Sequence, residues 1–393
     1  MRSGFLPFSQ PLLGEEEIEA VVGCLRSGWL TTGMVVKEFE RDFAAYVGCK
    51  HALAVNSCTA ALHLALEAVG IGPGDEVITC PMTFAATVGV IEHLGGRPVL
   101  VDCEPSTLNL DPSQIEARIT PRTKAILPVH FGGQPCDMDP ILEIARAHGL
   151  AVVEDAAHAL PSRYRGRMVG TLGDITCFSF YATKTLTTGE GGMAVTNHDA
   201  YAERMRLMHL HGMSHDAWKR YQQNGSWSYE ILAPGFKYNL TDIAASIGIH
   251  QLRRCGAFHA RRRRIARAYT AALSGLGGLE TPRVTDERGH AWHLYVIQLD
   301  TENLDIDRDT FMRRLTAMNI GASVHFIPAH LHPYYRQKYG FQPGDFPNAF
   351  SAFQRIVSLP IYPKMTDQDV DDVIGSVRTL VEEHRQCNVS STA

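Results

Sequence analysis

From residue 52 onward, short runs of apolar residues alternate with segments in which apolar positions recur at helical spacing. Runs at 52–55, 76–79, 99–101, 125–129, 151–154, 175–180 and 193–196 read as buried strands. Residues 59–69 and 140–148 carry the intervening helical pattern. Strands that are apolar throughout and alternate with helices predict an α/β fold: a mostly parallel seven-stranded sheet covered on both faces. In such a sheet, ligands collect at the carboxyl ends of the strands. Ahead of it, residues 14–26 place Ile18, Val21, Val22 and Leu25 on one face and predict an amphipathic helix.

The pattern changes near residue 250. Helical spacing covers 241–252 and resumes over 257–273. It is followed by strand-like alternation at 292–299, a helix at 309–318, a strand at 323–326 and a closing helix at 367–383. This predicts a large domain over 14–250 and a smaller α+β C-terminal domain over 251–386, with 387–393 as a disordered tail.

The chain has 393 residues, enough for two such cores. Its 37 Lys plus Arg against 42 Asp plus Glu lack the basic surplus of a nucleic-acid partner. No apolar run nears the roughly 20 residues that cross a bilayer, and the first residues do not read as a secretory signal. The 9 cysteines stand singly, without a CxxC pair, as expected for reduced thiols in a cytoplasmic enzyme.

The chemistry concentrates at strand ends. Phe178-Ser-Phe-Tyr-Ala-Thr-Lys184 presents one lysine from a hydroxyl-rich turn, and the glycines at 189, 191 and 192 let backbone approach closely. Such a lysine suits Schiff-base chemistry once desolvation or a nearby cation lowers its pKa. Upstream, Asp155 and His158 follow another strand. A carboxylate there suits a protonated heterocyclic nitrogen, and the imidazole a phenolic oxygen. Ser57, Cys58 and Thr59 open a helix, where free N–H groups attract phosphate. Phe84 follows a further strand and suits stacking on a flat cofactor. Alone, each has a plain explanation: a surface lysine, helix caps at Asp155 and Ser57, a core phenylalanine. Four such features at successive strand ends of one sheet point to one cofactor site.

With these motifs the chain resembles the DegT/DnrJ/EryC1/StrS family of sugar aminotransferases, which adopt the type I pyridoxal-phosphate-dependent aminotransferase fold. The resemblance extends to Ser27-Gly-Trp-Leu-Thr-Thr-Gly33, Pro128-Val-His-Phe-Gly-Gly-Gln134, Gly235-Phe-Lys-Tyr-Asn-Leu-Thr-Asp242 and Ser358-Leu-Pro-Ile-Tyr-Pro363. Within the family it is most similar to enzymes that aminate C4 of a UDP-linked sugar, including those making UDP-4-amino-4-deoxy-L-arabinose.

The resemblance implies that Lys184 holds pyridoxal phosphate as an internal aldimine and shuttles the proton, with pyridoxamine phosphate as intermediate. Asp155 pairs with the ring nitrogen, His158 with the ring oxygen, and Phe84 stacks on the ring. Ser57, Cys58 through its backbone, Thr59 and Ser179 bind the phosphate. Asn239 reaches the site of a second subunit, making a homodimer with shared active sites. His325, His330 and Trp29 belong to the substrate site, and the 332–335 stretch flanks its opening. No metal is implied. The expected reaction moves an amino group from glutamate, giving 2-oxoglutarate, to a nucleotide-linked 4-keto sugar for lipopolysaccharide or a related surface glycan.

Other readings are a C3 aminotransferase acting on a 3-keto sugar, a pyridoxal enzyme acting on amino acids, and a non-catalytic regulator of the same fold. Lys184, which a sugar dehydratase branch of the family replaces with His, speaks against dehydration. The run Arg261-Arg-Arg-Arg264 is expected to be a solvated helix surface, since four consecutive helical residues cannot all face one ligand.

Overall fold

A computed structural model describes residues 2–214, 229–285 and 287–386. The expected tail, with Cys387, lies outside the described residues. Two helices, α1 (Glu15–Ser27) and α2 (Met34–Val47), come first. The sheet then grows through β1 (His51–Val55), α3 (Cys58–Ala68), β2 (Glu76–Thr79), α4 (Ala85–His93), β3 (Arg97–Leu100), β4 (Thr123–Leu127), α5 (Met138–His148) and β5 (Ala151–Asp155). A short hairpin, β6 (Arg163–Tyr164) and β7 (Arg167–Met168), precedes β8 (Ile175–Ser179), β9 (Gly192–Thr196) and α6 (Asp199–Met208).

The seven strands of the large sheet run in the order β1-β9-β8-β5-β4-β2-β3. Only β9 is antiparallel to its neighbours; the remaining pairs are parallel. Apolar runs on both strand faces are what this layering requires. Val77, Ile78, Ile126, Val153 and Cys177 are fully enclosed between helices. The carboxyl ends of β1, β2, β5 and β8 carry the expected site residues to one edge.

The rest of the chain comprises α7 (Asp242–Leu273), β10 (Leu279–Glu280), β11 (Arg288–Gly289), β12 (Tyr295–Leu299), α8 (Arg308–Ala317), α9 (Pro333–Tyr339), α10 (Pro347–Arg355), β13 (Ile356–Leu359) and α11 (Asp367–His384). Strands β10, β12 and β13 form a second, antiparallel sheet, and β11 joins the hairpin β6 and β7.

Three expectations change. The two helical stretches at 241–252 and 257–273 are one 32-residue helix, α7, about 48 Å long. Gly256 faces open space while Cys255 and Phe258 are buried, so packing on both sides outweighs the ~1 kcal/mol cost of a helical glycine. The helix crosses residue 250 without a break. Leu252 and Cys255 pack in the core of the large sheet, and Ile265, Tyr269 and Leu273 in that of the small one. The segment 323–326 forms no strand; Ser323 makes a single bridge to Ser358.

The third change is in α1, whose expected apolar face is not its buried face. Ile18 and Leu25 are 51% and 52% exposed, while Glu17 and Cys24 are buried. Glu17 turns inward because its carboxylate accepts from Gln251 Nε2 (2.8 Å), Arg254 Nη1 (3.0 Å) and the Gly14 N–H (2.8 Å). Burial alone would raise its pKa, but these donors hold it below the usual carboxylate value. Replacing Glu17 with alanine is expected to cost about 2 kcal/mol, because buried Gln251 loses one of its two acceptors and Arg254 its ion-pair partner. A urea titration with a lowered midpoint and unchanged slope checks this.

Candidate active site

A cavity of about 520 Å³ opens at the carboxyl edge of the large sheet. Ser57, Cys58, Thr59, Phe84, Asp155, His158, Ser179, Lys184 and His325 all line it, as the sequence led us to expect. Phe8, Tyr181, Glu190, His293 and Phe326 also belong to the wall.

Asp155 ends β5 and is fixed from two sides. Its Oδ2 accepts from Thr87 Oγ1 (2.7 Å) and its Oδ1 from the Ala157 N–H (3.1 Å). Thr87 in turn meets Thr83 at 2.6 Å. One residue earlier, Glu154 points away and is buried against His130 Nε2 (2.9 Å), Thr176 Oγ1 (2.6 Å) and the Gly173 N–H (2.9 Å). The His130 N–H donates to the Asp155 carbonyl (3.1 Å), so this buried network also holds the strand end.

His158 accepts from the Gly132 N–H at Nδ1 (3.3 Å), which leaves its proton on Nε2. Burial, reinforced by the charge of Lys184, keeps the ring neutral. The rings of Phe326 and His293 pack against it at 5.7 and 4.4 Å. His325 meets Ser358 Oγ through Nδ1 (2.9 Å) and stacks on Phe8 (5.2 Å). Burial first, then Lys184, pushes its pKa down to about 4.

Lys184 sits in a turn braced by Thr187 Oγ1 donating to the Phe180 carbonyl (3.0 Å) and by its own N–H on the Tyr181 carbonyl (2.9 Å). Burial lowers its pKa to about 8, against the opposing pull of Asp155. The amine is then half neutral about two and a half pH units below an exposed lysine. In the protein free of cofactor, labelling of Lys184 by an amine-reactive reagent is expected to rise through a midpoint near pH 8. Peptide mapping across a pH series would show it; a midpoint above 10 would contradict the burial account.

At the start of α3, Ser57 is the N-cap and accepts from the Ala60 N–H (3.1 Å), so the plain cap explanation holds for its side chain. The Cys58 thiol is buried and directed at the Cys177 carbonyl (3.5 Å). Only its N–H is left for a ligand, since first-turn N–H groups have no helical partner. Thr59 is exposed beside it. Gly192 packs so closely that a Cβ would lie 2.5 Å from the Ser57 carbonyl carbon.

Two expectations fail here. His330 is fully buried against Phe346 (4.8 Å) and does not line the cavity, because its short helical turn packs under α10. The 332–335 stretch likewise turns away, with Tyr334 on Glu92 (3.2 Å). The arginine run is a solvated surface only in part, at the exposed Arg263 and Arg264. Arg262 is 2% exposed and Arg261 reaches the Met365 carbonyl (2.6 Å), because 262, 265, 266 and 269 form the buried stripe of α7.

Trp29 and Asn239 lie outside the cavity of their own chain. The Trp29 indole donates to the Thr32 carbonyl (3.2 Å), and the Asn239 amide to Thr32 Oγ1 (2.6 Å). Asp242 ties the same two segments together by accepting from the Gly33 (2.8 Å) and Val36 (3.0 Å) N–H groups.

The arrangement fits pyridoxal phosphate. It offers a fixed carboxylate, an imidazole N–H, a helix start with free N–H groups beside hydroxyls, and a desolvated lysine between them. Fold and site together define a pyridoxal-phosphate-dependent aminotransferase. The model of the DegT/DnrJ/EryC1/StrS aminotransferase family matches residues 11–378, and the chain belongs to that family. It is 55% identical over 382 residues to the spore coat polysaccharide biosynthesis protein SpsC of Bacillus subtilis, covering 97% of this chain and 98% of SpsC. Among solved structures it is similar to the putative sugar aminotransferase Spr1654 of Streptococcus pneumoniae in its pyridoxamine-phosphate form. The TM-score is 0.90 at 35% identity, over 96% of this chain and 99% of that one. The same protein in its pyridoxal-phosphate form gives 0.89 at 34% identity, over 96% of this chain and 99% of that one. Helicobacter pylori PseC, an aminotransferase of pseudoaminic acid biosynthesis, also has a TM-score of 0.90 at 28% identity, over 97% of this chain and all of that one.

Proposed function

We propose that the protein transfers the amino group of glutamate to C4 of a nucleotide-linked keto sugar, in the supply of a surface polysaccharide. The observation that carries the chemistry is Lys184, desolvated in a 520 Å³ cavity between the Asp155 carboxylate and the start of α3. When bound there, pyridoxal phosphate supplies an electron sink for the donor's α-carbon. Asp155 would hold the proton on the ring nitrogen, and the His158 Nε2–H would donate to the ring oxygen. The Cys58 N–H, Thr59 and Ser179 would hold the phosphate, and Phe84 would stack on the ring. Lys184 would hold the cofactor through its amine and, once the donor's amine has displaced it, would be the base that moves the donor's α-proton.

The polysaccharide context is supported by the likeness to SpsC, and C4 by the motif resemblance at 235–242. Incubating the enzyme with glutamate and a panel of UDP-, TDP- and GDP-linked 3-keto and 4-keto sugars tests both. A 4-amino product with 2-oxoglutarate is expected; amination of 3-keto sugars alone would replace C4 with C3.

The same reading takes the active unit as a homodimer in which Asn239 and Trp29 serve the partner's site. The exposed apolar side chains of Ile18, Leu25, Leu30 and Met34, close to Trp29 in the chain, support it. A monomeric mass in solution, with full activity, would overturn it.

A further inference from the structure

Arg262 is a guanidinium buried in the heart of the molecule, 2% exposed, and no carboxylate pairs with it among the described residues. A buried ion without a counter-ion is costly, and an apolar side chain of similar volume would fill the space at lower cost. What Arg262 touches suggests why it is there. Its Nη1 lies within hydrogen-bond reach of the carbonyls of Trp292 (3.2 Å), His293 (3.2 Å) and Ile361 (2.5 Å), two N–H bonds shared among three acceptors, while Nε has no partner among the described residues. The first two carbonyls belong to the turn that presents the His293 ring to the cavity and against His158. A second, small cavity of about 10 Å³ is lined by both Arg262 and Lys184, along with Thr183 and Thr185. The guanidinium therefore lies behind the lysine turn, on the side away from the main cavity.

We propose that Arg262 is a positioning residue for Lys184, acting through the fixed positive charge it places behind the lysine and through its hold on the peptide that carries His293. The inference rests on the reading of Lys184 as the cofactor-binding lysine. The other groups facing Lys184 are Cys58 from α3, Asp155 at the end of β5, His158, His293, His325 and Glu190. The three imidazoles are held neutral by burial, and burial likewise keeps the Cys58 thiol protonated. Among the described residues this leaves Arg262 as the cation that opposes Asp155 at the lysine. Three carbonyl acceptors on one nitrogen fix where that charge sits, which a mobile surface cation would not achieve.

The test is a spectrophotometric pH titration of the cofactor-loaded protein, following the visible chromophore formed with Lys184. Removing a nearby positive charge favours the protonated form of the lysine nitrogen. In Arg262→Gln, which keeps hydrogen-bond donors without the charge, the midpoint is expected to rise by about one pH unit, a tenfold change in the protonation equilibrium. In Arg262→Met, which removes the charge and fills the space with an apolar side chain of similar length, the midpoint is expected to rise by a similar amount. A folded Arg262→Gln protein with the wild-type midpoint would overturn the inference. If Arg262→Gln does not fold, an unchanged midpoint in Arg262→Met would overturn it equally. A wild-type protein that forms no chromophore would remove the Lys184 reading and this inference together. A wild-type chromophore that is insensitive to both variants removes only the inference.

Discussion

Lys184→Ala is expected to lower turnover by at least about 10⁴-fold while the protein still folds and takes up cofactor without a covalent bond. The lysine has two tasks that no neighbour can assume. Its amine is the desolvated nucleophile of the cavity, and it is the only Lys or Arg lining it among the described residues. His158 and His325 are close, but both are held neutral, and both face partners of their own in Gly132 and Ser358. Stability should change little, because the turn is held by main-chain and threonine contacts rather than by the lysine side chain. Single-turnover reaction with glutamate separates this from a binding defect: the half-reaction should vanish although cofactor remains bound. Turnover within tenfold of wild type would mean that another group performs the chemistry.

Asp155→Asn is expected to cost about 10³-fold in kcat with a small change in KM, since the lost interaction matters most when negative charge spreads into the cofactor ring. A neutral amide cannot hold a proton on a heterocyclic nitrogen as a carboxylate does. The side chain would stay in place, because an Asn oxygen can still accept from Thr87 Oγ1 or the Ala157 N–H. Geometry is thus retained while charge is lost, and steady-state kinetics with a circular-dichroism control resolve the two. A variant with kcat within tenfold of wild type would remove Asp155 from the role assigned to it.

Much of this site is readable from the chain because its residues stand at strand ends, and the strands announce themselves as wholly apolar runs. Lys184, Asp155, His158 and the 57–59 turn needed only the order of strands and helices to come together. Three kinds of feature escaped. His293 and Phe8 reach the cavity from the segment leading into β12 and from the residues ahead of α1, segments whose sequence carries no strand-end signal. His330 looked equivalent to His325, but five residues of irregular backbone separate a cavity-lining ring from a buried one. Arg262 and Glu17 reversed the usual inside-out rule, because long-range partners such as Ile361 and Gln251 decide which way a charged helical residue turns. Periodicity alone cannot see those partners. Nor could it see that α7 continues through Gly256, where burial on both sides decided the outcome.

The account rests most directly on the covalent tie between cofactor and Lys184. Reducing the loaded protein with borohydride and mapping its peptides by mass spectrometry locates that tie. The expected result is the mass of the reduced cofactor on the peptide containing Lys184 and on no other. Cofactor mass on a different lysine, or none on any peptide of a protein that is visibly loaded, would contradict the account.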